Sequence, residues 1–159
     1  MRNKILILLL FLIGNFSVFA QKKDNKIKIE QALQANHKKM EDFYKNELTD
    51  SLIEMYTPKC YFIREFSERL DNQSDIKKKL NSDFKNGFKV LSLKFNPDDY
   101  KIYGDIVVDV GVITLKYVKP DIKDTITEDY NYTTIWKSSR GYQYRIRSEM
   151  WGYVTNPCK

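Results

Sequence analysis

The first half of the chain carries its apolar residues at helical spacing. From Ile27 onward they recur every three or four positions, which predicts an amphipathic helix of about 20 residues. A second, short helix is predicted to begin at Thr49 and to stop at Pro58, because proline does not continue a helix. A third helix is predicted over 75–86, where Ile76, Leu80 and Phe84 lie four apart on one apolar stripe. Gly87 has the residue type that ends helices. This half of the chain is therefore predicted to be mainly helical.

The second half changes to a strand pattern. After Gly87 the sequence is rich in Val, Ile, Tyr, Thr and Trp, with turn-forming residues between the apolar runs. The runs cover 88–95, 105–118, 125–136 and 142–151, and a short strand is predicted earlier, at 60–63. The long runs predict antiparallel strands joined by hairpins. Helices followed by such a meander indicate an α+β domain, with the helices packed on one face of a curved antiparallel sheet.

Residues 1–20 have the pattern of a cleavable secretory signal peptide. Arg2 and Lys4 precede an uncharged apolar run over 5–13, and a more polar segment ends at Ala20. A membrane-spanning helix needs about 20 apolar residues, and this run is roughly half that. We therefore expect cleavage near Ala20 and export to the periplasm or the cell exterior, with membrane contact only during export.

Length and charge limit what the mature chain can be. The 139 residues after the leader suffice for one domain, which we place at 27–153, between a disordered start at 21–26 and a tail at 154–159. The leader removes two of the 27 basic residues, which leaves 25 against 21 acidic ones and a net charge of +4. Because acidic residues are interspersed throughout, this charge indicates a solvated surface and no nucleic-acid partner.

Two cysteines and one histidine are the candidates for covalent or metal chemistry. Cys60 and Cys158 would lie in a compartment where disulfides persist, and their pairing would contribute about 4 to 5 kcal/mol in the chain-entropy model. Alternatively, Cys60 is a small buried hydrophobe. His37 is far in sequence from both cysteines and is expected at the surface or its boundary. No metal site and no cofactor is predicted.

Three segments together form a recognisable pattern: FYKNELTDSLIEMYTPKCYFI, KVLSLKFNPDDYKIYGDIVVDVGVITL and YNYTTIWKSSRGYQYRIRSEMW. In their order and spacing they resemble the nuclear transport factor 2-like superfamily, and in particular its ketosteroid-isomerase-like and SnoaL-like domains. The resemblance covers about residues 27 to 152. It implies a cone-shaped, cystatin-like roll, in which a strongly curved sheet wraps around the first helix and leaves a pocket.

The resemblance also implies where an isomerase-type site would lie. The position of the catalytic base falls on Arg64, and that of the oxyanion-binding tyrosine falls on Met40. Arginine does not accept a proton at neutral pH, and methionine has no hydrogen-bond donor. The site would be restored only if Glu65, one position on, and Tyr44, one helical turn on, took these roles together. We therefore predict no catalytic residue.

The last two long strands place aromatic and charged side chains on the same faces. Strict alternation puts Tyr130, Tyr132 and Trp136 together on one strand, and Arg147, Glu149 and Trp151 together on the next. Such a wall suits a small apolar, amphipathic or carboxylated ligand. Alternatively these residues are cross-strand pairs on the outer face, since a bulge would reverse the faces. The pocket candidates are Tyr44, Arg64, Glu65, Tyr130, Tyr132, Trp136, Arg147, Glu149 and Trp151.

These features predict an exported, non-catalytic module that binds a small molecule or a protein partner. The alternative is an enzyme of the isomerase, dehydratase or cyclase kind. It requires Glu65, Glu128 or Glu149 to face an enclosed pocket with a raised pKa. A third hypothesis is a homodimer that associates through the outer face of the sheet.

Overall fold

The computed structural model describes residues 2–154, with side chains over 24–122 and 124–154. Its elements are α1 (Arg2–Lys45), α2 (Thr49–Glu54), β1 (Tyr56–Arg64), α3 (Gln73–Lys85), β2 (Lys89–Tyr103), β3 (Ile106–Lys119), β4 (Ile122–Arg140) and β5 (Gln143–Tyr153). The predicted α+β order is confirmed. The side chains of the predicted leader and most of the predicted tail lie outside the described residues, so cleavage and export remain predictions. Over the side chains that are described, no helix is long and apolar enough to cross a membrane.

The five strands form one sheet in the order β1-β5-β4-β3-β2. The pairs β2 with β3, β3 with β4, and β4 with β5 are antiparallel, as predicted. Strand β1 is parallel to β5, so the sheet is mixed rather than wholly antiparallel. A parallel partner cannot be joined by a hairpin, and most of the domain separates these two strands along the chain.

Two prolines lie within strands, although we expected Pro58 to stop a helix, and Pro97 falls between the predicted runs 88–95 and 105–118. Helix α2 ends at Glu54, and Pro58 lies in β1. Pro97 lies in β2, where the register shifts between Pro97 and Asp99. Both strands are at the edges of the sheet, where a residue without an N–H is tolerated. Gly111 is opposite Pro97, and a Cβ at this position would lie 2.8 Å from the Cα of Pro97.

The helices pack on the inner face of the sheet. Leu33 and Met40 of α1 are fully buried against the core. In α3, Ile76 and Leu80 form the buried stripe that the sequence predicts. The Asn72 side chain caps this helix by accepting a hydrogen bond from the Asp75 N–H. Helix α3 thus lies beside β1 with its apolar side facing the sheet.

A bulge in β5 decides which side chains face inward. Ile135 pairs with Ser148 and Trp136 pairs with Ile146, so Arg147 is an extra residue without a partner on β4. Ile146 before the bulge and Glu149 after it are both fully buried. Strict alternation along this strand was therefore a wrong prediction, because one inserted residue reverses the faces beyond it.

Candidate functional site

A cavity of about 330 Å³ lies between α3 and the inner face of the sheet. This volume is near the lower end of the range of small-molecule sites, about 300 to 1,000 Å³. Most of its wall is apolar or aromatic, including Phe62, Leu80, Phe84, Val90, Leu115 and Trp151. Its charged groups are few. The cavity is therefore shaped for a compact and mainly apolar molecule.

Arg64, the last residue of β1, brings a positive charge to this wall. Its guanidinium carbon lies 4.9 Å from the centroid of the Tyr130 ring and 5.9 Å from that of the Trp151 ring. Its Nη2 donates a hydrogen bond to the Tyr130 hydroxyl. Among the described side chains, no carboxylate oxygen lies within ion-pair distance of Arg64. The half-buried guanidinium is held by aromatic rings rather than by an acid.

Glu128 orders the tyrosines around Arg64. The Tyr130 hydroxyl donates to Glu128 Oε2, and the Tyr117 hydroxyl donates to the same oxygen over 3.0 Å. Burial, together with this hydrogen bond to Glu128, raises the pKa of Tyr117 to about 12. The carboxylate thereby holds the Tyr130 hydroxyl in place to accept the hydrogen bond from Arg64.

Glu149 lies behind the cavity wall in a closed polar cluster. Tyr56 Oη donates to its Oε2, and Trp151 Nε1 donates to its Oε1 over 2.9 Å. Burial raises the pKa of Glu149, although the two hydrogen bonds oppose the shift. Burial and the neighbouring Glu149 also raise the pKa of Tyr44 well above its usual range. Tyr44 and Trp151 line the cavity, whereas Glu149 is absent from the wall that the described residues form.

A second closed cluster surrounds Asp109 on β3, which is fully buried. Its oxygens accept hydrogen bonds from the Tyr132 hydroxyl, over 2.8 Å, and from Trp136 Nε1, over 3.0 Å. His37 Nε2 lies 2.8 Å from Oδ2, but this contact is too bent for a hydrogen bond. The His37 ring stacks on Phe95, with centroids 4.4 Å apart. The expectation that His37 lies at the surface or its boundary was wrong, because it packs on an acid in the core.

Three of the nine pocket candidates line the cavity: Tyr44, Arg64 and Trp151. Tyr130 joins them through its hydrogen bond to Arg64. Tyr132 and Trp136 face inward as well, but they bind Asp109 in the core.

The remaining candidates lie away from the cavity. Glu65 is exposed, and its Oε2 accepts a hydrogen bond from the Tyr153 N–H over 2.6 Å. Arg147, the bulged residue, places its guanidinium over the Tyr61 ring and donates to the Lys59 carbonyl oxygen. The prediction that Arg147 shares a face with Glu149 and Trp151 was therefore wrong.

One of the two cysteines lies within the described residues. Cys60 is fully buried, and burial raises the pKa of its thiol to about 11. Cys158 lies outside the described residues, so their pairing stays a prediction. Within the described part of the chain, no cluster of three or more His, Cys, Asp or Glu side chains could hold a metal ion.

Sequence reasoning missed the residues that α3, the turn after it and the start of β2 contribute to the cavity. These are Ile76, Leu80, Phe84, Phe88 and Val90. The four-residue spacing within α3 was visible and identified the apolar side of the helix. That this side faces a cavity rather than a filled core depends on the distance between helix and sheet, for which the spacing carries no signal.

Comparison with known proteins identifies solved structures with a similar fold. No family model and no curated protein matches the sequence. A nuclear transport factor 2-like superfamily protein from Salmonella enterica is similar with a TM-score of 0.68 and 16% identity, over 83% of this chain and 94% of that chain. A protein with a cystatin-like fold from Novosphingobium aromaticivorans has a TM-score of 0.66 and 7% identity, over 90% of each chain.

A ketosteroid isomerase-like protein from Erwinia carotovora is similar at a TM-score of 0.66 and 9% identity, over 80% of this chain and 95% of that chain. Identities this low carry the fold and not the activity. The expectation drawn from the resemblance is thus confirmed at the level of fold. The element order, the five-stranded mixed sheet and these similarities show that the chain has the nuclear transport factor 2-like superfamily fold.

Proposed function

We propose that this domain is an exported binding module that takes up a small, mostly apolar molecule in the cavity between α3 and the sheet. The observation that carries the proposal is the cavity itself, about 330 Å³ with a mainly apolar wall. Export rests on the leader pattern of residues 1–20. The fold hosts enzymes and binding proteins alike, so the site has to decide between them.

The cavity favours binding through burial of apolar surface. At about 30 Å³ for a water-sized group, it has room for about ten non-hydrogen atoms. Leu80 and Val90 provide aliphatic surface, and Trp151 provides an aromatic one. A ligand of this size that leaves water for such a wall gains the hydrophobic contribution of most of its surface.

The carboxylates support binding better than acid–base catalysis. Glu65 is exposed and Glu128 accepts hydrogen bonds from two tyrosines. Glu149 has the burial and the raised pKa that the enzymatic alternative requires. However, both of its oxygens already accept hydrogen bonds, and Trp151 stands between it and the cavity. A general base has to reach its substrate within hydrogen-bond distance.

Isothermal titration calorimetry with 1-octanol, a neutral probe of suitable size, tests this proposal. We expect saturable binding to the wild-type domain and none to Val90→Phe, because the larger side chain would fill part of the cavity. Val108→Phe is the matched control, since it makes the same change on β3 away from the cavity. Equal binding to all three proteins, or binding to none, would refute the proposal.

A further inference from the structure

The charged groups on the cavity wall differ in whether they have an ion-pair partner. Lys79 forms an i, i+4 ion pair with Asp83 on α3. Glu68 is exposed and solvated. Arg64 is half-buried and has no ion-pair partner among the side chains described. Among the described residues, one positive charge at the wall therefore has no carboxylate in direct contact with it.

The guanidinium of Arg64 also has unused hydrogen-bonding capacity. It carries five N–H donors in a planar fork, and one of its nitrogens, Nη2, donates to the Tyr130 hydroxyl. Its Nε and Nη1 have no hydrogen-bond partner within the described residues, and neither of these two nitrogens is sealed from solvent. The fork is thus open to a group that arrives from the cavity.

The surroundings of Arg64 hold this fork in one orientation. The rings of Tyr130 and Trp151 lie beside it, and Glu128 fixes the Tyr130 hydroxyl from behind. Glu128 uses its Oε2 to accept from two tyrosines, so it compensates the charge of Arg64 only at a distance. A planar fork of this kind matches a carboxylate through two parallel hydrogen bonds.

We infer that the ligand of this cavity is a monocarboxylate with an apolar body of about ten non-hydrogen atoms, whose carboxylate pairs with Arg64. This inference rests on the proposed function and adds the chemical class of the ligand. The apolar body lies along Leu80, Val90 and Leu115, and the charged end lies at the end of β1. A cationic ligand would meet the charge of Arg64, which no described carboxylate contacts directly, and be repelled.

Three eight-carbon probes separate this inference from the proposed function. Octanoate, 1-octanol and octylamine are titrated into the wild-type domain at neutral pH by calorimetry. We expect octanoate to bind at least tenfold more tightly than 1-octanol, and octylamine to bind more weakly than both. Rising salt should weaken octanoate binding and leave 1-octanol binding unchanged, because salt screens the charge.

Variants at Arg64 test whether this residue causes the preference for octanoate over 1-octanol. Arg64→Gln should remove the preference for octanoate and keep the affinity for 1-octanol, whereas Arg64→Lys should keep part of the preference because it retains the charge without the fork. Arg69→Gln is the control, since Arg69 is exposed and pairs with Asp71.

If 1-octanol and octanoate bind the wild type equally, the inference fails and the proposed function stands. If neither binds, the proposed function fails and the inference with it. Should Arg64→Gln not fold, the salt dependence and Arg64→Lys decide the matter.

Discussion

The closed centre of the sheet and the cavity beside it both contain charged groups among Tyr and Trp side chains. The two regions differ in how many hydrogen bonds these charged groups make to the protein. In the centre, Asp109 and Glu149 each accept hydrogen bonds on both oxygens from Tyr and Trp side chains. At the cavity, Arg64 has one such partner and an open fork. A buried carboxyl group whose hydrogen bonds are complete has no capacity left for a ligand, whereas a guanidinium with unused donors is available to one.

The strand register explains why the centre is closed. Tyr100, Asp109, Thr134 and Glu149 are neighbours on four successive strands, so they form one polar row across the inner face. The helices cover this row, whereas Arg64 stands at the end of the edge strand β1, next to the cavity. Position in the sheet thus separates the enclosed charges from the one that lines the cavity.

The largest expected effect is the loss of Asp109. Asp109→Ala leaves the Tyr132 hydroxyl, the Trp136 indole N–H and His37 buried without their shared partner. We expect the free energy of unfolding to fall by about 3 to 5 kcal/mol in a denaturant titration. Asp71→Ala is the control and should cost less than about 1 kcal/mol, because Asp71 is exposed. A similar small cost for both variants would show that the centre is not structural.

A comparison of two valines tests whether the core is filled and the cavity is not. Val107→Phe places a larger side chain in a filled core and should cost about 1 to 3 kcal/mol of unfolding free energy. Val90→Phe can extend into the cavity and should cost clearly less. Both values come from the same denaturant titration. If Val90→Phe were the more costly change, the cavity would not have the space that we assign to it.

The smallest expected effect is a change in pH dependence at Glu149. Its pKa in the folded chain is raised above the ordinary value of 4.5. Between these two values the folded chain keeps a proton that the unfolded chain has released, so the free energy of unfolding falls as the pH rises. Glu149→Gln has no such group, and we expect it to gain stability relative to wild type as the pH rises above 4.5. Glu54→Gln, an exposed control, should run parallel to wild type; a parallel profile for Glu149→Gln would contradict the account.

Much of the fold could be predicted from the sequence, because the signals were local and repeated. The four-residue spacing of α3 and the long alternating runs after Gly87 correspond to observed elements. The parallel pairing of β1 with β5 had no local signal, since the strands are far apart in the chain. We did not predict strands at Pro58 and Pro97. A proline is tolerated in an edge strand, and which strand lies at the edge depends on the whole sheet.

The site was less predictable, for two physical reasons. The bulge at Arg147 is a backbone event that moves one residue out of register and reverses which neighbours face inward. The cavity exists because the helices and strands enclose more volume than their side chains fill. Arg64 and Tyr44 were identified only because a family resemblance drew attention to the end of β1 and to α1.

A crystal structure of the domain with octanoate tests the central claim most directly. We expect the alkyl chain to lie between Leu80, Val90 and Leu115, with both carboxylate oxygens within hydrogen-bonding distance of the Arg64 guanidinium. Glu149 should keep its hydrogen bonds to Tyr56 and Trp151. Octanoate bound elsewhere, or bound in the cavity with its carboxylate turned away from Arg64, would contradict the account.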